Sequence, residues 1–204
     1  MAKTLLCSAF FVFVAVFSFP AYSTDKEQVH TEKICSGSSL HFPRNVKISE
    51  KFYGLPGIDN VGRVSPCIYR GRQPARKGYQ TLKSMGIKTV INLRAVHDER
   101  KKVESAGMKY VEIPVPMTGG VRTEKLQEII HAMSDPSNQP VYIHCALGED
   151  RTGIAVAAYR MDADGWSYDD AVKEMQSFGF NDVWIHLKQS LKNYAERTGK
   201  IQKP

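Results

Sequence analysis

The stretch Val141-Tyr142-Ile143-His144-Cys145-Ala146-Leu147-Gly148-Glu149-Asp150-Arg151-Thr152-Gly153 constrains this chain more than any other. Four residues rich in β-formers lead into a cysteine, and a glycine-bearing loop then runs to an Arg-Thr pair that opens the apolar helical run Gly153 to Met161. The expected local structure is strand, loop, helix. A loop wrapped in front of a helix N-terminus turns unpaired N–H groups inward, toward the positive end of the helix dipole. Such a hollow binds an anion.

Cys145 stands at the mouth of that hollow, where backbone amides, the dipole and the Arg151 guanidinium all favour thiolate over thiol. A nucleophile under a phosphate cradle implies phosphoryl transfer to sulfur. Ala146, Leu147, Gly148 and Glu149 would line the cradle, with Gly148 permitting a positive φ and a close approach of backbone to ligand. Arg151 can hold two oxygens of a transferring phosphoryl group bidentately, which lysine cannot copy. Thr152 has two readings: a hydroxyl that bonds the sulfur and eases its departure, or a helix cap.

The run His144-Cys145-x5-Arg151-Thr152 resembles the signature of the cysteine-dependent protein-tyrosine and dual-specificity phosphatase superfamily. Rhodanese-like sulfurtransferases resemble it less, and the Gly-Lys-[Ser/Thr] ending of Walker-type loops is absent. The resemblance extends across about Ile58 to Thr198, through the frames Tyr69-Arg70-x-x-Gln73-Pro74 and Gly86 to Arg94, which look like the bacterial dual-specificity-like branch. It implies that His144 orients the loop by hydrogen bonding rather than acting as a base. It also implies a general acid on the mobile loop after the preceding strand, yet Pro114 to Arg122 carries no carboxylate. Asp150 is the first substitute, Glu149 the second and Asp98 the third. Asp150 has a competing role in capping or pairing at the helix start.

The chain of 204 residues, 42% of them apolar, can bury one core, so one catalytic domain is expected over 58–204. Lys3, the apolar run Leu5 to Phe19 and Ala21-Tyr22-Ser23 read as a cleaved signal peptide, 1–23, sending the protein to a secreted or periplasmic location. The run is too short for an ordinary membrane span. Residues 24–57 are polar and irregular and read as an arm. Processing leaves Cys35, Cys67 and Cys145, of which the first two form either one disulfide or two buried free thiols.

Strands are expected at Asn60 to Val64, Ile68 to Arg70, Lys88 to Leu93 and Lys109 to Ile113. Helices are expected at about Ala75 to Met85, Asp98 to Ala106, Thr123 to Ser134, through a capping box at Ser167 and Asp170 to Phe178, and at Asp182 to Arg197. Their alternation makes an α/β fold with a central, largely parallel sheet flanked by helices, similar to dual-specificity phosphatases.

The net charge of +7 favours polyanions. The basic residues are dispersed and no nucleic-acid motif accompanies them, so nucleic acid is not expected as a partner. A secreted basic phosphatase meets soluble polyphosphates, and the sequence looks like a compact relative of the protein-tyrosine-phosphatase-like inositol polyphosphatases. Arg70, Arg72, Arg94, His97, Arg122 and Lys125 could contact further phosphates, although each singly fits a solvated charge. The alternative is a dual-specificity or tyrosine protein phosphatase, and a third reading is a non-catalytic phosphate-binding module. No metal or cofactor is implied, because Arg151 and backbone donors supply the charge stabilisation. Oligomeric state is not legible.

Overall fold

The computed structural model describes residues 35, 48–96 and 99–201. The expected signal segment 1–23, most of the arm, His97 and Asp98 lie outside the described residues. Six strands form one sheet: β1 (Glu50–Phe52), β2 (Val61–Ser65), β3 (Ile68–Gly71), β4 (Thr89–Asn92), β5 (Lys109–Glu112) and β6 (Val141–His144), in the order β1-β2-β3-β6-β4-β5. The helices with described bounds are α1 (Gly78–Ser84), α2 (Arg100–Ser105), α3 (Thr123–Ser134), α4 (Asp150–Ala163), α5 (Tyr168–Ser177) and α6 (Ile185–Arg197).

The expected α/β sheet is present, but it is mixed. The pairings β3–β6, β6–β4 and β4–β5 are parallel, whereas β1–β2 and β2–β3 are antiparallel. The arm also supplies β1, a strand where irregular chain was expected. Only three residues long, β1 carries no alternation from which to be read, and its pairing with β2 defines it.

β6 is the centre of the sheet, and all four of its residues are buried. Its side chains alternate between two cores, as the period of a strand requires. Val141 and Ile143 join Ile68, Ile91, Leu126, Ile129, Ile154, Leu187 and Leu191 in the layer that carries α3, α4 and α6. Tyr142 joins Tyr69, Val90, Leu82, Ile87 and Val103 under α1 and α2. Each fully buried aliphatic or aromatic side chain contributes about 1.5–3 kcal/mol over its exposed state, so the strand before Cys145 is among the most firmly held in the fold.

α4 leaves the loop and runs through the interior, with every residue from Thr152 to Met161 buried. That burial on all sides explains why the run is apolar on every face apart from the ion-paired Arg160 rather than amphipathic. α5 crosses it closely at Gly153, where a Cβ would come within 2.8 Å of Met175 Cγ. Ser167 caps α5 as expected, accepting from Asp170 N at 3.1 Å. Three helix starts differ from the sequence expectation: α2 begins at Arg100, with Glu99 rather than Asp98 at its N-cap position. α1 begins at Gly78 because Ala75 N is taken by Gly57 O in a turn, and α6 begins at Ile185 because Trp184 N closes a turn on Asn181 O.

Cys35 and Cys67 form a disulfide with a Cα–Cα distance of 5.6 Å, and Cys145 is a free buried thiol. The bridge lies at the start of β6, where Cys67 O accepts from Val141 N, at the opposite end of that strand from Cys145. No described helix is long and apolar enough to cross a membrane.

Candidate active site

Cys145 follows the last residue of β6 and is 3% exposed. The loop after it is defined by where its carbonyls go. Cys145 O accepts from His144 Nδ1 at 2.9 Å, Ala146 O from Gln73 N at 3.3 Å, Leu147 O from Asn60 Nδ2 at 3.3 Å and Gly148 O from Arg70 Nη2 at 2.8 Å. Four successive carbonyls are thus drawn outward by four donors outside the loop. An amide whose carbonyl points out turns its N–H in, so the loop is a nest of donors that ends at the N-terminus of α4. Gly148 has φ +76° and lies against β3, where no side chain would fit.

Arg151 is the second residue of α4, and its Nε is buried with no protein partner among the described residues. A guanidinium so placed has hydrogen-bonding capacity in reserve for an oxyanion. Thr152 is 0% exposed, and its Oγ1 likewise has no partner among the described residues. The helix-cap reading of Thr152 is overturned, because the N-cap position is Glu149 and Thr152 lies inside the first turn.

His144 is wholly buried and stacked on Tyr142, with ring centroids 5.9 Å apart. Because a carbonyl can only accept, Nδ1 carries the proton given to Cys145 O. Nε2 is 3.3 Å from Glu99 Oε2, a close contact of buried groups without hydrogen-bond angles. Glu99, 1% exposed, also accepts from Tyr79 Oη at 3.0 Å and from Asn92 Nδ2.

The carboxylates differ in setting. Asp150 Oδ1 accepts from Asn181 N at 3.0 Å, which ties the loop to the α5–α6 connection. Glu149 packs beside Gly179, and burial, followed by the neighbouring Asp150 charge, raises its carboxyl above the usual range while Arg72 pulls it back. Asp98 and His97 lie outside the described residues.

The basic residues do not converge as a group. Arg70, a candidate for contacting further phosphates, lies in the expected strand β3, but its side chain is 0% exposed and beneath the loop. Arg94 is half-buried, and its guanidinium bonds Gln73 Oε1, linking the end of β4 to the residue that holds Ala146 O. Arg72 is exposed, and its carbonyl accepts from Tyr142 Oη at 2.6 Å. Arg122 lines a separate cavity of about 670 Å³ with Glu124, Asn193 and Arg197, to which none of residues 145–151 contributes. Lys125 is engaged by Glu128 at 2.6 Å. The start of α3 thus carries Arg122 toward α6, a direction that sequence spacing does not reveal.

The loop expected to be mobile, Pro114 to Arg122, is held at three places. Val115 N donates to Leu93 O at 3.0 Å, Val121 N to Ser190 Oγ at 2.8 Å, and His186 Nε2 to Met117 O. Sequence reasoning missed Asn60 and Glu99. Asn60 has φ +51°, a conformation asparagine tolerates and its one local signal; Glu99 sits in a charged run that reads as solvated surface.

A central parallel strand leading into a buried cysteine, a nest of amides after it and an arginine inside the first helical turn define a cysteine-based phosphatase site of the protein-tyrosine and dual-specificity class. The family described as "DSP-PTPase phosphatase fused to NAD+ Kinase" matches residues 60–192. The chain belongs to that dual-specificity family of the protein-tyrosine phosphatase superfamily.

It is 31% identical over 123 residues to the dual specificity protein phosphatase TpbA of Pseudomonas aeruginosa strain UCBPP-PA14, covering 60% of this chain and 56% of the relative. It is 26% identical over 126 residues to the inositol diphosphatase DSP2 of Oryza sativa subsp. japonica, covering 58% and 61%. The chain therefore spans little more than half the length of these curated relatives. The crystal structure of P. aeruginosa TpbA superposes with a TM-score of 0.62 at 26% identity, over 78% of this chain and 96% of that one. TpbA has also been solved in complex with pTyr.

Proposed function

We propose that this protein hydrolyses phosphomonoesters through a cysteinyl-phosphate intermediate, and that its substrates are phosphoproteins, phosphotyrosine included. The outward fixing of four successive loop carbonyls carries the reading, because it aims the amides at an oxyanion held over Cys145. Sulfur attacks phosphorus, the bond from phosphorus to the leaving oxygen breaks, and a carboxyl of the Glu149–Asp150 pair gives that oxygen its proton. Water, deprotonated by the same carboxylate, then attacks the phosphocysteine, and the S–P bond breaks to release phosphate. Raised by burial, Glu149 is suited to hold a proton for donation, and Asp150 already accepts a backbone bond. Glu149 therefore takes first place as the acid.

Two observations favour a phosphoprotein over an inositol polyphosphate. Arg70 and Arg122, counted toward a ring of phosphate contacts, are placed elsewhere, while Glu149 and Asp150 stay in the loop. Leu147 in the loop, and Val183 and Ile185 just past the segment bonded to Asp150, are exposed apolar side chains (43%, 66% and 73%) suited to an aryl ring or peptide. TpbA, a relative with the same core, has been solved with pTyr. The inositol polyphosphate reading keeps Arg72 and Arg94 in its favour, together with the inositol diphosphatase relative. Phosphate release from phosphotyrosine peptides and from inositol hexakisphosphate, each with Cys145→Ser as control, discriminates the two. Turnover of the inositol phosphate alone would reverse the assignment, and turnover by the serine variant would remove the mechanism.

We also propose that the mature protein acts outside the cytoplasm. The ground is the N-terminal pattern 1–23, supported by a disulfide suited to an oxidising compartment. N-terminal sequencing of protein exported from a Gram-negative host is expected to begin at Thr24; an intact Met1 in a cytoplasmic fraction would overturn it.

A further inference from the structure

We infer that Arg70 is a positioning residue for this chemistry: an enclosed cation beneath the phosphate loop that fixes the Gly148 carbonyl outward and stabilises negative charge gathered at Cys145. The inference rests on the reading of Cys145 as the nucleophile.

The backbone of Arg70 pairs with Ile143 of β6, two residues before Cys145, and its side chain is 0% exposed. Nη2 donates to Gly148 O at 2.8 Å, and the guanidinium carbon lies 4.0 Å from the centroid of the Phe178 ring. Room for this stack is made on β2, where Gly62 is the residue paired with Arg70. A Cβ on Gly62 would meet Phe178 at 2.5 Å and Arg70 Cγ at 3.3 Å. Asn60 bonds both Leu147 O and Phe178 O, at 3.3 and 3.0 Å, so ring and loop are fastened to each other.

Packing alone does not account for a guanidinium in this position. Its Nε and Nη1 are buried without a protein partner among the described residues. A buried charge short of partners is costly, and an apolar side chain of similar volume would serve a purely structural role better. The groups facing it are Glu174 of α5, Cys145, Arg160 of α4 and Tyr142 of β6. Burial brings the guanidinium down to about 10, with Glu174 and then Cys145 holding it up and Arg160 opposing them, so Arg70 remains a cation across the neutral range. Glu174 is itself held by Arg160 through bonds of 2.9 and 3.0 Å. Glu174 is therefore shared between two guanidinium groups, and Arg70 also acts on Cys145 and, through Gly148, on the loop above it.

The test uses Arg70→Met and Arg70→Lys, with thermal denaturation to establish folding. Three quantities are read: kcat on an aryl phosphate, competitive inhibition by inorganic phosphate, and the rate of Cys145 alkylation by iodoacetamide at pH 6. Arg70→Met is expected to slow alkylation and kcat by about tenfold each, the factor that corresponds to about 1.4 kcal/mol, and to weaken phosphate inhibition. Arg70→Lys, which keeps the charge but not the fork, is expected to recover most of the alkylation rate and less of the phosphate affinity. Folded Arg70→Met with all three values within twofold of wild type overturns the inference. Should Arg70→Met not fold, Phe178→Leu decides by the same readouts, and unchanged alkylation and phosphate inhibition there overturn it. Failure of the underlying reading looks different: wild-type Cys145 would show no protection from alkylation by phosphate.

Discussion

A Cβ placed on Gly148 would stand 2.4 Å from both the carbonyl carbon and the carbonyl oxygen of Gly71. The loop and the end of β3 therefore touch backbone to backbone. Gly148 also has φ +76°, so a side chain there is opposed by conformation as well as by space. Gly148→Ala must push the loop off β3 and turn at least one amide from the anion, and loss of one such donor lowers kcat by roughly 100- to 1000-fold. Steady-state kinetics beside a circular-dichroism melt checks this. A folded variant that retains a third of wild-type kcat would show that the contact does not hold the cradle.

The two loop carboxylates are separated by leaving group. Glu149→Gln is expected to lower turnover of alkyl phosphates by about 100-fold or more and that of an activated aryl phosphate by far less, since general acid catalysis contributes about 100- to 10,000-fold only where the leaving oxygen needs a proton. Because its carboxyl lies above the usual range, Glu149 keeps its proton to higher pH, and loss of that proton gives the alkaline limb of the kcat profile. Glu149→Gln should erase the limb. If Asp150→Asn instead shows the selective loss, Asp150 is the donor; equal losses on both substrate types would exclude both.

Burial opposes ionisation of Glu174, but Arg160, with Ser49 Oγ and N at 2.6 and 2.7 Å, outweighs it and holds the carboxyl below its ordinary value of 4.5. A carboxyl depressed in the folded state adds stability that is complete above its unfolded value and is lost as pH falls through the folded one. Chemical denaturation is expected to give constant stability from this group between pH 7 and 5.5 and a decline below about pH 4.5. Glu174→Gln should flatten that decline and destabilise the protein at pH 7 by about 3–5 kcal/mol, because Arg160 would be left buried without its main partner. Parallel curves for variant and wild type would refute the assignment.

The Cys35–Cys67 bridge closes a span of 32 residues, for which the chain-entropy relation gives about 3–4 kcal/mol. Reduction, or the Cys35→Ser/Cys67→Ser double variant, is expected to lower Tm by on the order of 10 °C. Activity at 25 °C should be unchanged, because the bridge sits at the far end of β6 from Cys145. A loss of activity without a loss of Tm would contradict that placement.

The strand, loop and helix around Cys145 were legible because the residues making them are contiguous, and periodicity and caps report local geometry directly. α3 falls at its expected bounds, Thr123–Ser134, since its apolar positions recur at helical spacing. What was not legible depends on distant partners. β1 exists through β2, and the direction of Arg70 was set by Gly62 across the strand pair and by Phe178, 108 residues further on. Glu99 looks like any surface acid until Tyr79 and Asn92 close around it. Charge in a sequence says that a residue can be ionised, and only the assembled fold says whether water reaches it.

The donors that hold the loop carbonyls come from three separate places in the chain: Asn60, the Arg70–Gln73 stretch and His144. The wall they brace is therefore shaped when the sheet assembles, ahead of any encounter with a guest. An arriving oxyanion exchanges its hydration shell for amides already standing in position, so little reorganisation accompanies capture.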